Sequence, residues 1–197
     1  MSAEKKVPIK FWDDLYKSET MPWDAGETPE RLLRFLDSLE RESGCELLVP
    51  GCGSAYEAGS MASKGFDVKA IDFSEEAIKR AASVLDGQKV VLEQANYFDY
   101  EGGPFDYIYE RAFLCSFKPD LRTRFLEKLR SLLKPGGLYF GFFFVAPTRE
   151  DGPPYPVPDA LLRDMMKPHF ELREDEVHQE QLEVFGGSER WQVWAHL

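Results

Sequence analysis

Residues 138–145 read LYFGFFFV, an apolar run without a polar break. A strand with one face in water alternates apolar and polar side chains, whereas a strand covered on both faces has no reason to. The run predicts a central strand packed from both sides, and so a layered fold with helices above and below it. The preceding segments agree. Thr28-Pro29 predicts a helix start, with Thr as cap, Pro at the first position, and Leu32, Phe35, Leu36 and Leu39 on one face. ELLVP (46–50) predicts a short strand, and a helix over 55–64 ends at Gly65. FDVKAID (66–72) alternates as a strand does; Ser74 then caps a helix carrying Ala77, Ile78, Ala81, Ala82 and Leu85, closed by Gly87. KVVLEQ (89–94) and FDYIYE (105–110) predict strands. LRTRFLEKLRSLL (121–133) predicts a helix with Leu121, Phe125, Leu129 and Leu132 on one side, and KPGG (134–137) predicts a turn.

Strand and helix alternate from 46 to 145, which defines an α/β fold: a Rossmann-like, mostly parallel sheet with helices on both faces. The last third differs. DGPPYPVP (151–158) predicts a loop and ALLRDMMK a short helix; FELREDEV and RWQVWAHL predict an antiparallel C-terminal strand pair at one sheet edge. With 197 residues and no linker-like stretch, residues 1–197 are expected to form a single domain, 1–27 being too short for another.

The formal net charge of −11 argues against a nucleic-acid partner, because an acidic surface repels phosphate backbones; it favours a cationic small molecule. Cys45, Cys52 and Cys115 are sparse, odd in number and without CxxC spacing, which predicts neither disulfides nor a cysteine metal site and points to a reducing cytoplasm. His169, His178 and His196 have no ligand spacing, so no metal is expected. The start, MSAEKKVPIK, lacks the apolar core of a signal peptide. No run approaches the roughly 20 apolar residues of a membrane span. With no repeat or heptad pattern, a monomer is expected.

The first strand of the alternation ends in Pro50-Gly51-Cys52-Gly53. Open parallel sheets bind ligands at the carboxyl ends of their strands, and glycines let a backbone turn tightly against a ligand. Asp72 ends the next strand, 19 residues after Gly53, where a carboxylate can accept hydrogen bonds from a ribose diol. The competing reading is a tight turn with an incidental acid. Dinucleotide loops add a third glycine; here the loop continues Ser54-Ala55-Tyr56, and the bulky Tyr56 counts against a pyrophosphate. S-adenosylmethionine has the ribose without the pyrophosphate, and its sulfonium suits an acidic, aromatic pocket. Trp12, Tyr16, Trp23, Tyr97 and Phe98 supply aromatics in the right regions, each of which could instead serve core packing.

These stretches carry a resemblance. LLVPGCGSAYEAGSMASKGFDVKAIDFSEEAI resembles the first half of class I S-adenosylmethionine-dependent methyltransferases. FWDDLYKSETMPWD, FDYIYERAFLCSFKPDLRTRF and GPPYPVP make the chain similar, over roughly 11–160, to the thiopurine methyltransferase family and its thiol and halide methyltransferase relatives. The resemblance implies that 1–27 is a cofactor-covering segment in which Trp12, Tyr16 and Trp23 fold over S-adenosylmethionine. It implies that Pro50, Gly51 and Gly53 lie under the amino-acid portion and ribose, that Asp72 binds the ribose hydroxyls, and that Phe73, Asn96 and Tyr97 contact the adenine. Glu110-Arg111 matches an acid–Arg pair at a strand end, with Arg111 close to cofactor and substrate. An arginine at 111 places the chain nearer the thiopurine branch; the GCG loop and GPPY place it nearer the thiol and halide branch. The acceptor therefore stays open among thiols, thiopurines, halides and selenium or tellurium species.

Methyl transfer to a small soft nucleophile is an in-line displacement, helped chiefly by holding the reacting atoms in line. Arg111 is expected to stabilise an anionic nucleophile or to hold the cofactor carboxylate; the alternative is a strand-end ion pair with Glu110 or another acid. Tyr155 is expected to line the substrate side, or else to belong to a rigid Pro-rich connection. Cys52, with no nearby base in sequence, reads as a small side chain under the loop rather than a nucleophile. A nicotinamide oxidoreductase and an inactive cofactor-binding partner subunit are the competing functions.

Overall fold

The computed structural model describes residues 9–40, 44–179 and 181–197. The first eight residues of the expected covering segment thus lie outside the described residues. Helices are α1 (Ile9–Lys17), α2 (Glu30–Ser38), α3 (Tyr56–Ser63), α4 (Glu75–Val84), α5 (Arg122–Leu132) and α6 (Asp159–Met166). Strands are β1 (Glu46–Pro50), β2 (Asp67–Asp72), β3 (Val90–Gln94), β4 (Phe105–Arg111), β5 (Leu133–Phe144), β6 (Phe170–Val177) and β7 (Glu189–His196). They form one sheet in the order β3-β2-β1-β4-β5-β7-β6. The first five run parallel, and β7 runs antiparallel to both β5 and β6.

The expected α/β sheet with an antiparallel C-terminal pair is present, and the order within the pair follows from composition. ERWQVWAH is buried at nearly every position of β7, whereas FELREDEV in β6 carries charges throughout. The apolar strand goes inside against β5 and the charged one forms the edge.

Side chains from α2, α3 and α4 pack on one face of the sheet: Leu32, Phe35, Ala58, Met61 and Ala81 meet Leu47, Val49, Tyr109, Phe140 and Trp191. α5 and α6 cover the other face, where Phe125, Leu129, Leu162 and Met166 meet Leu48, Ile108, Tyr139 and Phe143. The 138–145 run is therefore covered on both sides, as its composition requires.

Two local expectations change. KPGG is not a free turn but part of β5: the register steps from Phe105↔Leu133 to Tyr107↔Leu138, so the segment bulges out between paired residues, with Gly136 at φ +78°. Thr28 does not cap α2. Pro29 holds the N-cap position, and the Thr28 hydroxyl lies 2.8 Å from that of Ser60. Ser74 does cap α4, accepting from the Ala77 amide at 3.2 Å. Among the described residues, no helix is long and apolar enough to cross a membrane, and no cluster of His, Cys, Asp or Glu is placed to hold a metal ion.

Candidate active site

β1 is flanked by β2 on one side and β4 on the other, so the chain order reverses there. The loops leaving β1 and β4 both line a cavity of about 500 Å³ at the carboxyl ends of the strands. That volume suits a cofactor with a small second ligand.

The floor is the glycine loop. Gly51 (φ +61°) and Gly53 (φ +53°) adopt left-handed backbone, and a Cβ at Gly51 would stand 2.2 Å from the Phe113 ring. One at Gly53 would stand 2.9 Å from the Tyr16 hydroxyl. The glycines thus admit two aromatic side chains beside the cavity. Asp72 accepts hydrogen bonds from the Gly53 amide (3.1 Å) and the Ser74 amide (2.9 Å), tying the loop to the start of α4. Burial nevertheless lifts its pKa to about 6. Cys52 is buried, and burial together with the Asp72 charge raises its thiol pKa well above normal, which keeps it protonated and unreactive.

The roof is α1 and the segment after it. α1 buries no residue fully, yet Trp12, Leu15 and Tyr16 line the cavity. The Trp12 and Tyr16 rings each meet Trp23 edge-on, at 5.2 and 6.2 Å between centroids. Polar contacts hold this roof down at its rim. The Ser74 hydroxyl donates to Asp13 (2.5 Å), Lys17 faces Glu76 (3.7 Å), and the Ser54 hydroxyl donates to Asp24 while accepting from Arg80 (2.6 Å).

Arg111, at the end of β4, lines the cavity with its side chain 7% exposed. It lies 3.7 Å from Glu57 and 3.6 Å from Glu189, with its guanidinium 5.0 Å over the Phe142 ring. Its ion partners are therefore other acids, not Glu110. Adjacent strand residues point to opposite faces. Glu110 turns away from the cavity, where its carboxyl accepts from the Leu114 amide (3.0 Å) and the Tyr139 hydroxyl (3.3 Å). Burial raises its pKa to about 7. The expected acid–Arg pair beside the cofactor is thus replaced by an Arg111–Glu57–Glu189 cluster.

Phe73, Asn96 and Tyr97 line the far end of the cavity. The Asn96 side chain accepts from the Phe98 amide at 3.0 Å and caps a short turn, and the Tyr97 ring stacks on Phe125 at 5.1 Å with its hydroxyl donated to the Phe125 carbonyl. Tyr155 does not line the cavity. Its hydroxyl is donated to the Gly152 carbonyl (2.9 Å) and its amide to the Cys115 carbonyl (2.6 Å), so the ring is buried under its own loop. Pro153 and Pro154 face the cavity in its place. Arg122, buried on α5, donates to the Pro156 carbonyl at 2.8 Å and holds that loop.

Sequence reasoning missed Glu57, Tyr109, Phe113 and Asp24, all of which line the cavity. Two had a readable signal. Tyr109 shares Arg111's face by strand parity, and Glu57 sits in the first helical turn after the glycine loop.

Solved structures with this fold include magnesium protoporphyrin IX methyltransferase from Synechocystis PCC 6803 with bound S-adenosylmethionine. It has a TM-score of 0.75 and 15% identity, with all of both chains covered. The N-methyltransferase NodS from Bradyrhizobium japonicum gives 0.74 and 15%, covering 95% of this chain and 98% of that one. The architecture is the S-adenosylmethionine-dependent methyltransferase fold. The family description Thiopurine S-methyltransferase (TPMT) matches residues 7–195. A probable thiol methyltransferase 2 of Arabidopsis thaliana is 30% identical over 155 residues, 74% of this chain and 66% of that protein's length. A thiopurine S-methyltransferase of Pseudomonas paraeruginosa is 28% identical over 173 residues, 78% and 79% of the two chains. The chain belongs to the thiopurine S-methyltransferase family. A nicotinamide oxidoreductase is set aside.

Proposed function

We propose that this protein, acting as one 1–197 domain, methylates a small soft nucleophile, foremost the sulfur of a thiol or thiopurine-like compound. The observation that carries this is the cavity itself. It joins a glycine loop and a buried Asp72 to an apolar lining of Phe113, Phe117, Pro153 and Phe185. The cofactor fits the residues present: Asp72 is a buried acceptor beside the glycine loop, bonded by backbone amides alone and free of a cationic partner among the described residues, and Tyr56 stands where a pyrophosphate would need glycine.

When bound, S-adenosylmethionine supplies a methyl group on a positively charged sulfur that leaves as a neutral thioether. Pro50, Gly51 and Gly53 then support the amino-acid portion and ribose, Asp72 accepts from the ribose hydroxyls, and Phe73, Asn96 and Tyr97 surround the adenine. Trp12, Tyr16 and Trp23 close over the cofactor and keep water out. Arg111 sits where cofactor and acceptor meet. Three cysteines outside any disulfide and an acidic net charge support a small-molecule acceptor, a reducing cytoplasm and no nucleic-acid partner. A monomer is the working expectation.

The test is a turnover assay with S-adenosylmethionine and a panel of thiols, thiopurines, iodide and oxyanions of selenium or tellurium, run beside cofactor calorimetry. Methylated thiol is the expected product. Cofactor binding without methylation of any acceptor would favour an inactive partner subunit instead.

A further inference from the structure

Resting on that reading, the geometry around Glu57 addresses how the acceptor loses its proton. Glu57 stands in the first turn of α3, directly behind the glycine loop, and faces the cavity, its side chain 16% exposed. The Tyr109 hydroxyl is 3.4 Å from Oε1 and the Arg111 guanidinium 3.7 Å from the same oxygen. Arg111 is also held by the buried Glu189, so one cation stands between two carboxylates. Among the described residues, the charged groups on the cavity wall are Asp24, Glu27, Glu57, Asp72, Arg111 and Lys118, four acids against two bases. Even with the sulfonium of the bound cofactor counted, acids outnumber cations four to three, so an acceptor entering as an anion meets a negative field and an arginine already compensated. An acceptor entering protonated meets neither penalty, but needs somewhere to leave its proton.

The groups facing Glu57 limit the choice. Tyr109 and Arg111 approach from β4, Asp24 from the segment after α1, and Cys52 from the glycine loop. Tyr109 and Cys52 stay protonated, because burial raises both pKa values, and Arg111 has no acceptor site. Burial, reinforced by Asp24, also raises the Glu57 pKa against the pull of Arg111, which makes its carboxylate the stronger base.

We propose that Glu57 is the general base for a neutral thiol acceptor, and that this site therefore prefers protonated thiols to preformed anions such as iodide. The thiol S–H bond breaks as its proton passes to the Glu57 carboxylate. The freed sulfur electron pair forms the bond to the methyl carbon, and the methyl–sulfonium bond breaks with its electron pair left on the departing thioether. Glu57 returns the proton to water.

The experiment compares 2-mercaptoethanol and iodide as acceptors in wild type and Glu57→Gln, both shown by calorimetry to bind S-adenosylhomocysteine. The proposal expects kcat/KM for the thiol to fall about 10²–10⁴-fold, the usual worth of a positioned base, and that for iodide to fall less than about tenfold. Equal losses for both acceptors, or an undiminished thiol rate, overturn it. Should Glu57→Gln not fold, the wild-type pH profiles decide. With S-adenosylmethionine saturating at every pH, the thiol rate should climb and level off well below the thiol's own pKa while the iodide rate stays flat; identical profiles overturn the proposal. Thiol turnover that survives Glu57→Gln removes only the base, whereas a wild type that binds cofactor and methylates no acceptor removes the function reading with it.

Discussion

At the scale of single residues, the glycine loop and Asp72 make separable demands. Gly51 needs both a left-handed φ and room for Phe113, so Gly51→Ala strains the backbone and pushes on a ring that forms the cavity wall. A loss of about 1–3 kcal/mol in urea unfolding is expected, together with weaker S-adenosylmethionine binding by calorimetry. Unchanged affinity would mean that the loop does not shape the cofactor site. Asp72 gives a pH signature. With its pKa lifted to about 6, the carboxylate is only partly ionised at pH 5.5 and fully so at pH 7.5. If ionised Asp72 accepts the ribose hydroxyls, affinity rises across that window. Asp72→Asn should bind about 10–100-fold more weakly, the worth of hydrogen bonds to a charged group, with a flatter pH dependence. Parallel curves for the two proteins would exclude the role.

At the scale of elements, the roof is held by edge contacts rather than burial. Trp23 touches Trp12 and Tyr16, yet α1 buries nothing fully. Trp23→Ala should therefore weaken cofactor binding and speed cofactor release in stopped-flow fluorescence, with a stability loss below the roughly 3–5 kcal/mol of a fully buried tryptophan, because Trp23 is only partly buried against Phe185 and its neighbours. A large drop in stability with unchanged release would show that the segment is core rather than cover. The same scale explains what the sequence could tell. Except for β5, which starts five residues before the predicted 138, strands and helices of the alternation lie within a residue or two of their predicted bounds, because each carries a periodicity or cap of its own, such as Ser74 on α4. The glycine loop, Asp72 and the aromatics of α1 meet at one cavity because strand ends converge in a parallel sheet. Glu110 was misplaced although strand parity forbids it to share a face with Arg111. Tyr155 was misplaced for a reason no local pattern encodes: Arg122, over 30 residues earlier, holds the Tyr155 and Pro156 carbonyls. Glu189 enters the site from the last strand, a contact created only when β7 slots between β5 and β6.

At the scale of the whole molecule, the buried acids give stability an unusual pH dependence. Burial raises Glu110 to about 7 and Asp72 to about 6, above the ordinary values near 4 that both carboxyls take when unfolded. Between those limits the folded state holds protons that the unfolded state has released, so unfolding free energy falls as pH rises. For Glu110 the loss runs from about pH 4.5 to about pH 7 and amounts to roughly 3–4 kcal/mol, at about 1.4 kcal/mol per pKa unit. Asp106 and Asp175 work in the opposite sense. Hydrogen bonds to Lys134 and the Glu46 amide, and to Arg190, Gln192 and Arg163, outweigh burial and lower their pKa values, so their stabilisation is lost only toward strong acid. The net charge of −11 adds self-repulsion as carboxyls ionise. Stability should therefore peak on the acid side of neutrality and decline from pH 5 to pH 7.5. Urea midpoints across that range check the decline, and Glu110→Gln assigns its source. The amide oxygen can still accept from the Leu114 amide and the Tyr139 hydroxyl, but it has no proton to lose. The variant should show a visibly shallower slope, with its largest gain over wild type above pH 7. A slope matching wild type would place the titrating group elsewhere, and the arms at Asp72→Asn would then decide whether the glycine-loop acid carries it.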